Sequence, residues 1–109
     1  MIKKTTRQTV SSRVLRPTKT ICVDVDGTLI SKSGHLNNLI LEHCEDKKAA
    51  GFDIVLWSAR GRVYAEEIAK RYKIEGLFFA VIGKPGYIFD DLGWLWTRNT
   101  VVLKNSDLK

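Results

Sequence analysis

The sequence predicts an α/β fold built on a parallel β-sheet, and two features of its pattern support this. Short apolar runs at residues 20–25, 52–57 and 77–82 have the length and composition of strands that are buried on both faces. Segments in which apolar residues recur at helical spacing separate these runs. Strands and helices that alternate in this way form right-handed crossovers, so we expect a Rossmann-like, three-layer α/β/α arrangement around a central parallel sheet.

The first strand and the first helix are marked by their ends. The apolar run of residues 20–25 stops at Asp26-Gly27-Thr28, a typical turn sequence. A helical pattern then extends from Leu36 to about Ala50, and Gly51 is a common residue at the end of a helix.

The later elements follow the same alternation with decreasing clarity. A second helical pattern covers residues 63–72 and ends near Gly76. After the third strand we predict, in chain order, a fourth strand at residues 87–89, a short helix at residues 92–96, and either a fifth strand or a tail at residues 100–103.

The composition is that of a single globular domain. The chain has 109 residues, of which 44% are hydrophobic and 28% charged, values that exclude disordered, collagen-like and coiled-coil proteins. It contains no apolar run of about 18 residues and no signal-peptide pattern, so we expect a soluble cytoplasmic protein with no membrane partner. Cys22 and Cys44 are too few and too isolated for a disulfide framework or a zinc site, and we interpret both as reduced packing residues.

The excess positive charge is concentrated at the N-terminus. Residues 1–23 hold six lysines and arginines and no acid, whereas the basic and acidic residues of the remaining chain balance. We interpret residues 1–19 as a basic arm, which we expect to be flexible, ahead of a single domain at residues 20–109. A basic block binds polyanions such as nucleic acid and also occurs as a solvated chain end, and the sequence leaves both interpretations open.

Polar side chains follow four successive predicted strands. In chain order they are Asp24 and Asp26, then Ser58, then Lys84, then Asp90 and Asp91. Because ligands bind at the carboxyl ends of strands in an open parallel sheet, we expect these side chains to share one edge.

Two common binding loops do not explain these residues. A calcium-binding loop that begins at Asp24 would need a glutamate at its twelfth position, which is His35. A phosphate-binding loop that ends at Gly83-Lys84 would need a glycine where Phe78 stands. A carboxylate within an apolar strand end, as at Asp24, needs a compensating partner, and a metal ion or a reaction is the usual one.

The residues carry a resemblance to a known family. The segment Ile21-Cys22-Val23-Asp24-Val25-Asp26-Gly27-Thr28-Leu29 resembles the first motif of the haloacid dehalogenase superfamily of phosphohydrolases, an apolar strand followed by Asp-x-Asp-x-Thr. Ser58 resembles its second motif, Lys84 its third, and Asp90-Asp91 its acidic fourth. The four motifs occur in order across residues 20–91, and the segments around them also look like small bacterial and phage members, some labelled as capsule-biosynthesis phosphatases.

The resemblance implies a phosphate monoester hydrolase that acts through an aspartyl phosphate. Asp24 would be the nucleophile and Asp26 the general acid and base. Ser58 and Lys84 would hold the phosphoryl oxygens, together with Thr28, whose hydrogen bonding orients the turn. Mg²⁺ would be bound by Asp24, by the backbone carbonyl of Asp26, and by Asp90 or Asp91, between which the sequence does not decide.

The segments around the motifs are too short for a cap domain. Family members usually carry a cap after the first motif or between the second and third. Here residues 29–53 hold only a short loop, or flap, and one helix, and residues 59–83 hold only one helix and one strand. We therefore expect an open site, which suits a large substrate or a homo-oligomer whose neighbouring subunit covers the cleft.

The sequence leaves the substrate and one alternative function open. The phosphorylated substrate is either a nucleotide or polynucleotide end, or a sugar phosphate. Arg60 is a candidate for a second anionic group of the substrate, and it is also explained as a surface residue at a helix start. The alternative function is a non-catalytic nucleic-acid-binding module that uses the basic arm.

Overall fold

The computed structural model describes residues 16–108, so most of the predicted basic arm, residues 1–15, lies outside the described residues. Its strands and longer helices, in chain order, are β1 (Thr20–Asp24), α1 (Asn38–Ala49), β2 (Asp53–Ser58), α2 (Arg62–Arg71) and β3 (Ala80–Gly83). Short 3-10 turns are formed by Glu75–Leu77, Gly93–Asn99 and Asn105–Leu108. No helix within residues 16–108 is both long enough and apolar enough to span a membrane.

The sheet is parallel, with the strand order β1-β2-β3. Cys22 of β1 lies opposite Val55 of β2, and Leu56 of β2 lies opposite Val81 of β3. Helix α1 connects β1 to β2 and helix α2 connects β2 to β3, so each pair of neighbouring parallel strands is joined through a helix. The predicted α/β, Rossmann-like class is confirmed.

The core forms around β2, the central strand. Three consecutive residues of β2, Ile54, Val55 and Leu56, are buried, so both faces of this strand are covered. Helix α1 contributes Cys44 to the core, and α2 contributes the small residue Ala65, which is fully buried. Each fully buried leucine or isoleucine stabilises the fold by roughly 1.5–3 kcal/mol relative to an exposed one.

Strand β1 is covered on one face only, which differs from the prediction. Ile21 and Val23 face the core, whereas Thr20 and Cys22 alternate with them and are exposed. Cys22 is therefore not the packing residue that its apolar surroundings suggested, because an apolar run does not show which face of its strand a helix will cover. Cys44 is a packing residue as predicted, and both thiols are free.

Each longer helix begins at a definable residue. The Asn37 side chain accepts hydrogen bonds from the backbone N–H groups of Leu39 and Ile40, at 3.1 and 3.3 Å, and so caps α1. Helix α2 begins after Gly61, whose φ of 104° and ψ of 166° lie in a region essentially restricted to glycine. No side chain caps α2, so the backbone conformation of Gly61 sets where this helix starts.

The prediction for residues 77–103 was partly wrong. The third strand is shorter than expected, Ala80–Gly83, since Glu75–Leu77 forms a 3-10 turn. Residues 87–89 form no strand, and Tyr87 and Phe89 are almost fully exposed. An apolar run becomes a strand only where a neighbouring strand pairs with it, and the run itself does not show its partner. The short helix predicted at residues 92–96 is present as the 3-10 turn Gly93–Asn99, and residues 100–103 form no strand.

The described residues fall into two compact units. The first comprises residues 19–88 together with 103–108, and it contains the sheet and both longer helices. The second includes residues 89–102, and within it the Thr97 hydroxyl donates to the Trp94 carbonyl at 2.9 Å.

Candidate active site

The sheet register brings three of the predicted site residues to one edge. Asp24 is paired with Trp57, which directly precedes Ser58, and Ser58 is paired with Gly83, which directly precedes Lys84. The Lys84 backbone N–H donates to the Ser58 carbonyl at 2.8 Å. Neighbouring strands lie about 4.8 Å apart, so residues from three distant parts of the sequence end side by side.

The loop that follows β1 folds back onto its own strand. The backbone N–H of Leu29 donates to the Asp24 carbonyl at 3.1 Å, and that of Ile30 donates to the Val25 carbonyl at 2.9 Å. Gly27 has a φ of 82°, which permits the reversal. Val25 and Leu29 are fully buried and anchor the two ends of the loop, which leaves Asp26 exposed between them.

Asp26 is held by two side chains from the segment after β2. The Tyr64 hydroxyl donates to Asp26 Oδ1 at 2.7 Å, and Arg60 Nη1 lies 3.5 Å from Asp26 Oδ2. The Arg60 guanidinium also lies 3.8 Å from the centre of the Tyr64 ring, a distance typical of cation–π contacts. The hydrogen bond to Asp26 raises the pKa of Tyr64 above its ordinary value.

Ser58 is buried and connects the site segments. Its side chain accepts a hydrogen bond from the Arg60 backbone N–H at 3.0 Å, and its carbonyl accepts from Gly61 N–H at 3.0 Å. The residue is 2% exposed. A serine hydroxyl both donates and accepts, so the bond that Ser58 accepts from Arg60 leaves its hydroxyl hydrogen free to donate. Ser58 does not cap α2, because Gly61 occupies the N-cap position of that helix.

Lys84 and Thr28 occupy different environments. Lys84 is exposed, and its ammonium lies 6.0 Å from the centre of the Trp57 ring, at the same edge of the sheet. Thr28 is half-buried in the loop after β1, where its backbone N–H donates to the Val25 carbonyl at 3.2 Å. Their roles toward phosphate stay predictions.

The fourth predicted position belongs to the second unit. Asp90 Oδ1 accepts a hydrogen bond from the Leu92 backbone N–H at 2.8 Å, and the Asp90 carbonyl accepts from Gly93 N–H at 3.1 Å. Asp90 and Asp91 are both exposed. Their contribution to a metal site stays a prediction.

The donor chemistry of the first unit fits Mg²⁺ in part. The Asp24 carboxylate and the Asp26 carbonyl are hard oxygen donors two residues apart, the type that Mg²⁺ prefers. Within residues 16–108, no group of three or more histidine, cysteine, aspartate or glutamate side chains gathers at metal-binding distance.

Two residues of the site were not predicted. Tyr64 reaches Asp26 from helix α2, and the two residues lie 38 positions apart in the chain, so no local sequence pattern indicated their hydrogen bond. Asn105 donates from its side-chain amide to the Gly27 carbonyl at 3.0 Å. No sequence signal pointed to Asn105, because its partner lies 78 residues away in the chain.

One comparison with known proteins identifies a family. A model of the haloacid dehalogenase-like hydrolase family matches residues 21–96, which is most of the chain and includes every predicted motif. Comparison with curated proteins and with solved structures gave no match. The family resemblance read from the motifs is confirmed: the chain belongs to the haloacid dehalogenase-like hydrolases.

Proposed function

We propose that this protein is a Mg²⁺-dependent phosphatase that hydrolyses a phosphate monoester through an aspartyl phosphate on Asp24. The observation that carries the proposal is the register of the sheet in a chain of this hydrolase family. It places Asp24 at the end of β1, Ser58 at the end of β2, and Lys84 directly after β3. A nucleophile, a hydroxyl donor and a cation at one edge are the groups that phosphoryl transfer needs.

Ser58 and Lys84 would bind and orient the phosphoryl group. The repulsion between a phosphate ester and an incoming carboxylate is reduced when the phosphoryl oxygens are held by fixed donors. Ser58 is suited to this task because burial and the hydrogen bond from Arg60 N–H fix its hydroxyl. Lys84 would add a positive charge that remains mobile, since its side chain is exposed.

Asp24 and Asp26 would carry out the chemistry in two steps. In the first, an Asp24 carboxylate oxygen forms a bond to phosphorus, the ester P–O bond breaks, and Asp26 gives its proton to the departing oxygen. In the second, Asp26 takes a proton from water as that water attacks phosphorus, and the Asp24–phosphorus bond breaks to release phosphate. Asp26 thereby regains in the second step the proton that it gave in the first.

The metal would be held by the same loop. The Asp24 carboxylate and the Asp26 carbonyl fit Mg²⁺, and we propose that Asp90 or Asp91 completes the protein ligands. When bound, Mg²⁺ neutralises negative charge on the nucleophile and on the phosphoryl oxygens.

The chain connections support a site without a cap. The connection from β1 to β2 contains helix α1 and, before it, residues 30–36, which we call the flap. The connection from β2 to β3 contains α2 and one 3-10 turn. We propose that the sheet edge receives substrate directly.

The test is hydrolysis of p-nitrophenyl phosphate with and without Mg²⁺, by the wild type and by Asp24→Asn. We expect activity to need the metal and to fall by at least about 1000-fold in the variant, because a covalent nucleophile is removed. The matched control is Asp53→Asn, which removes an exposed carboxylate at the start of β2, the opposite end of the sheet, and should leave kcat unchanged.

Turnover that persists in Asp24→Asn would show that Asp24 is not the nucleophile. Salt-sensitive nucleic-acid binding that survives this substitution, with no turnover of any ester, would instead favour a binding module based on the basic arm of residues 1–19.

A further inference from the structure

A groove of about 520 Å³ opens beside Asp26, between the flap and helix α2. The flap is held by an antiparallel bridge between Ile30 and Leu36 and by a 2.8 Å hydrogen bond from Ser31 N–H to the His35 carbonyl. Helix α2 is held against the sheet by its buried residues. Both walls of the groove therefore belong to the first unit and are supported by the core.

The groove combines an apolar floor with aromatic and cationic walls. Ile30 and Ile68 are buried at its base. Its walls carry two half-buried tyrosines, Tyr64 and Tyr72. They also carry two exposed cations, Lys32 from the flap and Arg71 from the last turn of α2. Its volume lies within the range of about 300–1000 Å³ that small-molecule sites occupy.

The charge of the groove is unbalanced. Asp26 is the single carboxylate among the described residues that line it, and Arg60 already lies at salt-bridge distance from Asp26. Among residues 16–108, no carboxylate lies within salt-bridge distance of Lys32 or Arg71. Two cations without an acidic partner, above an apolar floor, favour an anion attached to a carbon body.

We propose that this groove binds the leaving group of the substrate, and that the substrate is a phosphate monoester whose leaving group carries a second anionic group. The inference rests on the proposed function, in which Asp26 gives a proton to the departing oxygen. Because Asp26 also lines the groove, the leaving group extends from that oxygen along α2. Its carbon body contacts Tyr64 and Ile68, and its second phosphate or carboxylate pairs with Arg71 and Lys32.

The experiment compares kcat/KM within two matched pairs of substrates, adenosine bisphosphate against adenosine monophosphate and fructose bisphosphate against fructose monophosphate. The wild type is expected to prefer the bisphosphate of at least one pair by about tenfold, as one charge-assisted contact predicts. The preferred pair identifies a nucleotide or a sugar as the carbon body.

Arg71→Ala should lower the ratio of kcat/KM for bisphosphate to monophosphate by about fivefold, mainly through KM, since Arg71 is exposed and its contact is partly screened. Lys70→Ala is the matched control. It removes the same charge from the neighbouring exposed position of α2, which does not line the groove, and should leave the ratio unchanged. Circular dichroism confirms that both variants fold.

The outcomes separate this inference from the proposed function, because p-nitrophenyl phosphate carries no second anion and reports on hydrolysis alone. Hydrolysis of that ester together with equal ratios in wild type, Arg71→Ala and Lys70→Ala would overturn the groove assignment and leave the phosphatase standing. If no ester is hydrolysed, binding of the bisphosphates is measured by calorimetry. Binding that is weakened by Arg71→Ala but not by Lys70→Ala supports the groove assignment. The absence of such binding overturns it.

Discussion

Gly61→Ala isolates the backbone strain at the start of α2. A residue with a Cβ atom in the conformation of Gly61, φ 104° and ψ 166°, is strained by about 1–3 kcal/mol. A Cβ built at this position meets no heavy atom within 4 Å, so steric clash adds nothing to this value. We therefore expect the free energy of unfolding to fall by about 1–3 kcal/mol, and Tm to fall by roughly 4–8 °C for each kcal/mol in a domain of this size.

The matched control for Gly61→Ala is Gly76→Ala. A Cβ at Gly76 also meets nothing within 4 Å, and the φ of Gly76 lies outside the glycine-favouring region. Gly76→Ala should therefore be neutral or stabilise the fold by up to about 1 kcal/mol, through the unfolded chain. Thermal and urea unfolding followed by circular dichroism measure both variants, and changes in unfolding free energy that agree within about 0.5 kcal/mol would refute the strain argument.

The same substitution reaches the candidate site. Gly61 N–H donates to the Ser58 carbonyl at 3.0 Å, and Arg60 N–H donates to the Ser58 side chain. If alanine moves the chain out of the strained conformation, the turn that positions the Ser58 hydroxyl must move with it. We expect kcat to fall in Gly61→Ala under conditions where the variant is fully folded, and to remain at the wild-type value in Gly76→Ala.

Three further predictions concern the core, the buried thiol and the site loop. Leu56→Ala, at a fully buried position of β2, should lower the free energy of unfolding by about 2–5 kcal/mol in urea titrations, and a change under about 1 kcal/mol would contradict the assigned core. Burial, with a smaller contribution from Glu45, raises the pKa of Cys44 from 9.0 to about 11. The free energy of unfolding that this thiol contributes is therefore complete below about pH 9 and is lost as pH rises through about 11. Stability measured across this window should decline less steeply in Cys44→Ala, and identical slopes would count against the effect. Asn105→Ala removes the hydrogen bond to the Gly27 carbonyl, and it should lower kcat/KM a few-fold while the free energy of unfolding falls by less than about 1 kcal/mol. Ser106→Ala is the matched control, and equal activity of the two variants would show that Asn105 has no role in the site.

The order of the elements was predictable because its signals are local. An apolar run that ends at Asp26-Gly27 marks a strand and its turn, and the helical spacing before Gly51 marks the helix that follows. The run at residues 87–89 is also apolar but forms no strand. Strand formation depends on a partner strand, which the local sequence does not identify. The exposed face of β1 at Cys22 was missed for a similar reason, because a helix must cover a face before it is buried.

The candidate site was predictable as far as backbone topology determines it. Parallel strands place their carboxyl ends together, so Asp24, Ser58 and Lys84 could be assigned to one edge before any contact was known. Contacts between side chains from separate elements, such as Tyr64 with Asp26, depend on rotamers and on helix placement. These are set by packing of the whole core, which a short sequence window does not contain.

The two cysteines make the packing of α1 measurable. Cys22 is exposed on β1, whereas Cys44 is 1% exposed on the buried side of α1, and neither is in a disulfide. A thiol-modifying reagent therefore reaches Cys22 in the native protein and reaches Cys44 only when α1 separates from the sheet. The ratio of the two modification rates, followed by mass spectrometry of the intact chain, gives the equilibrium for local opening of this helix without any introduced label.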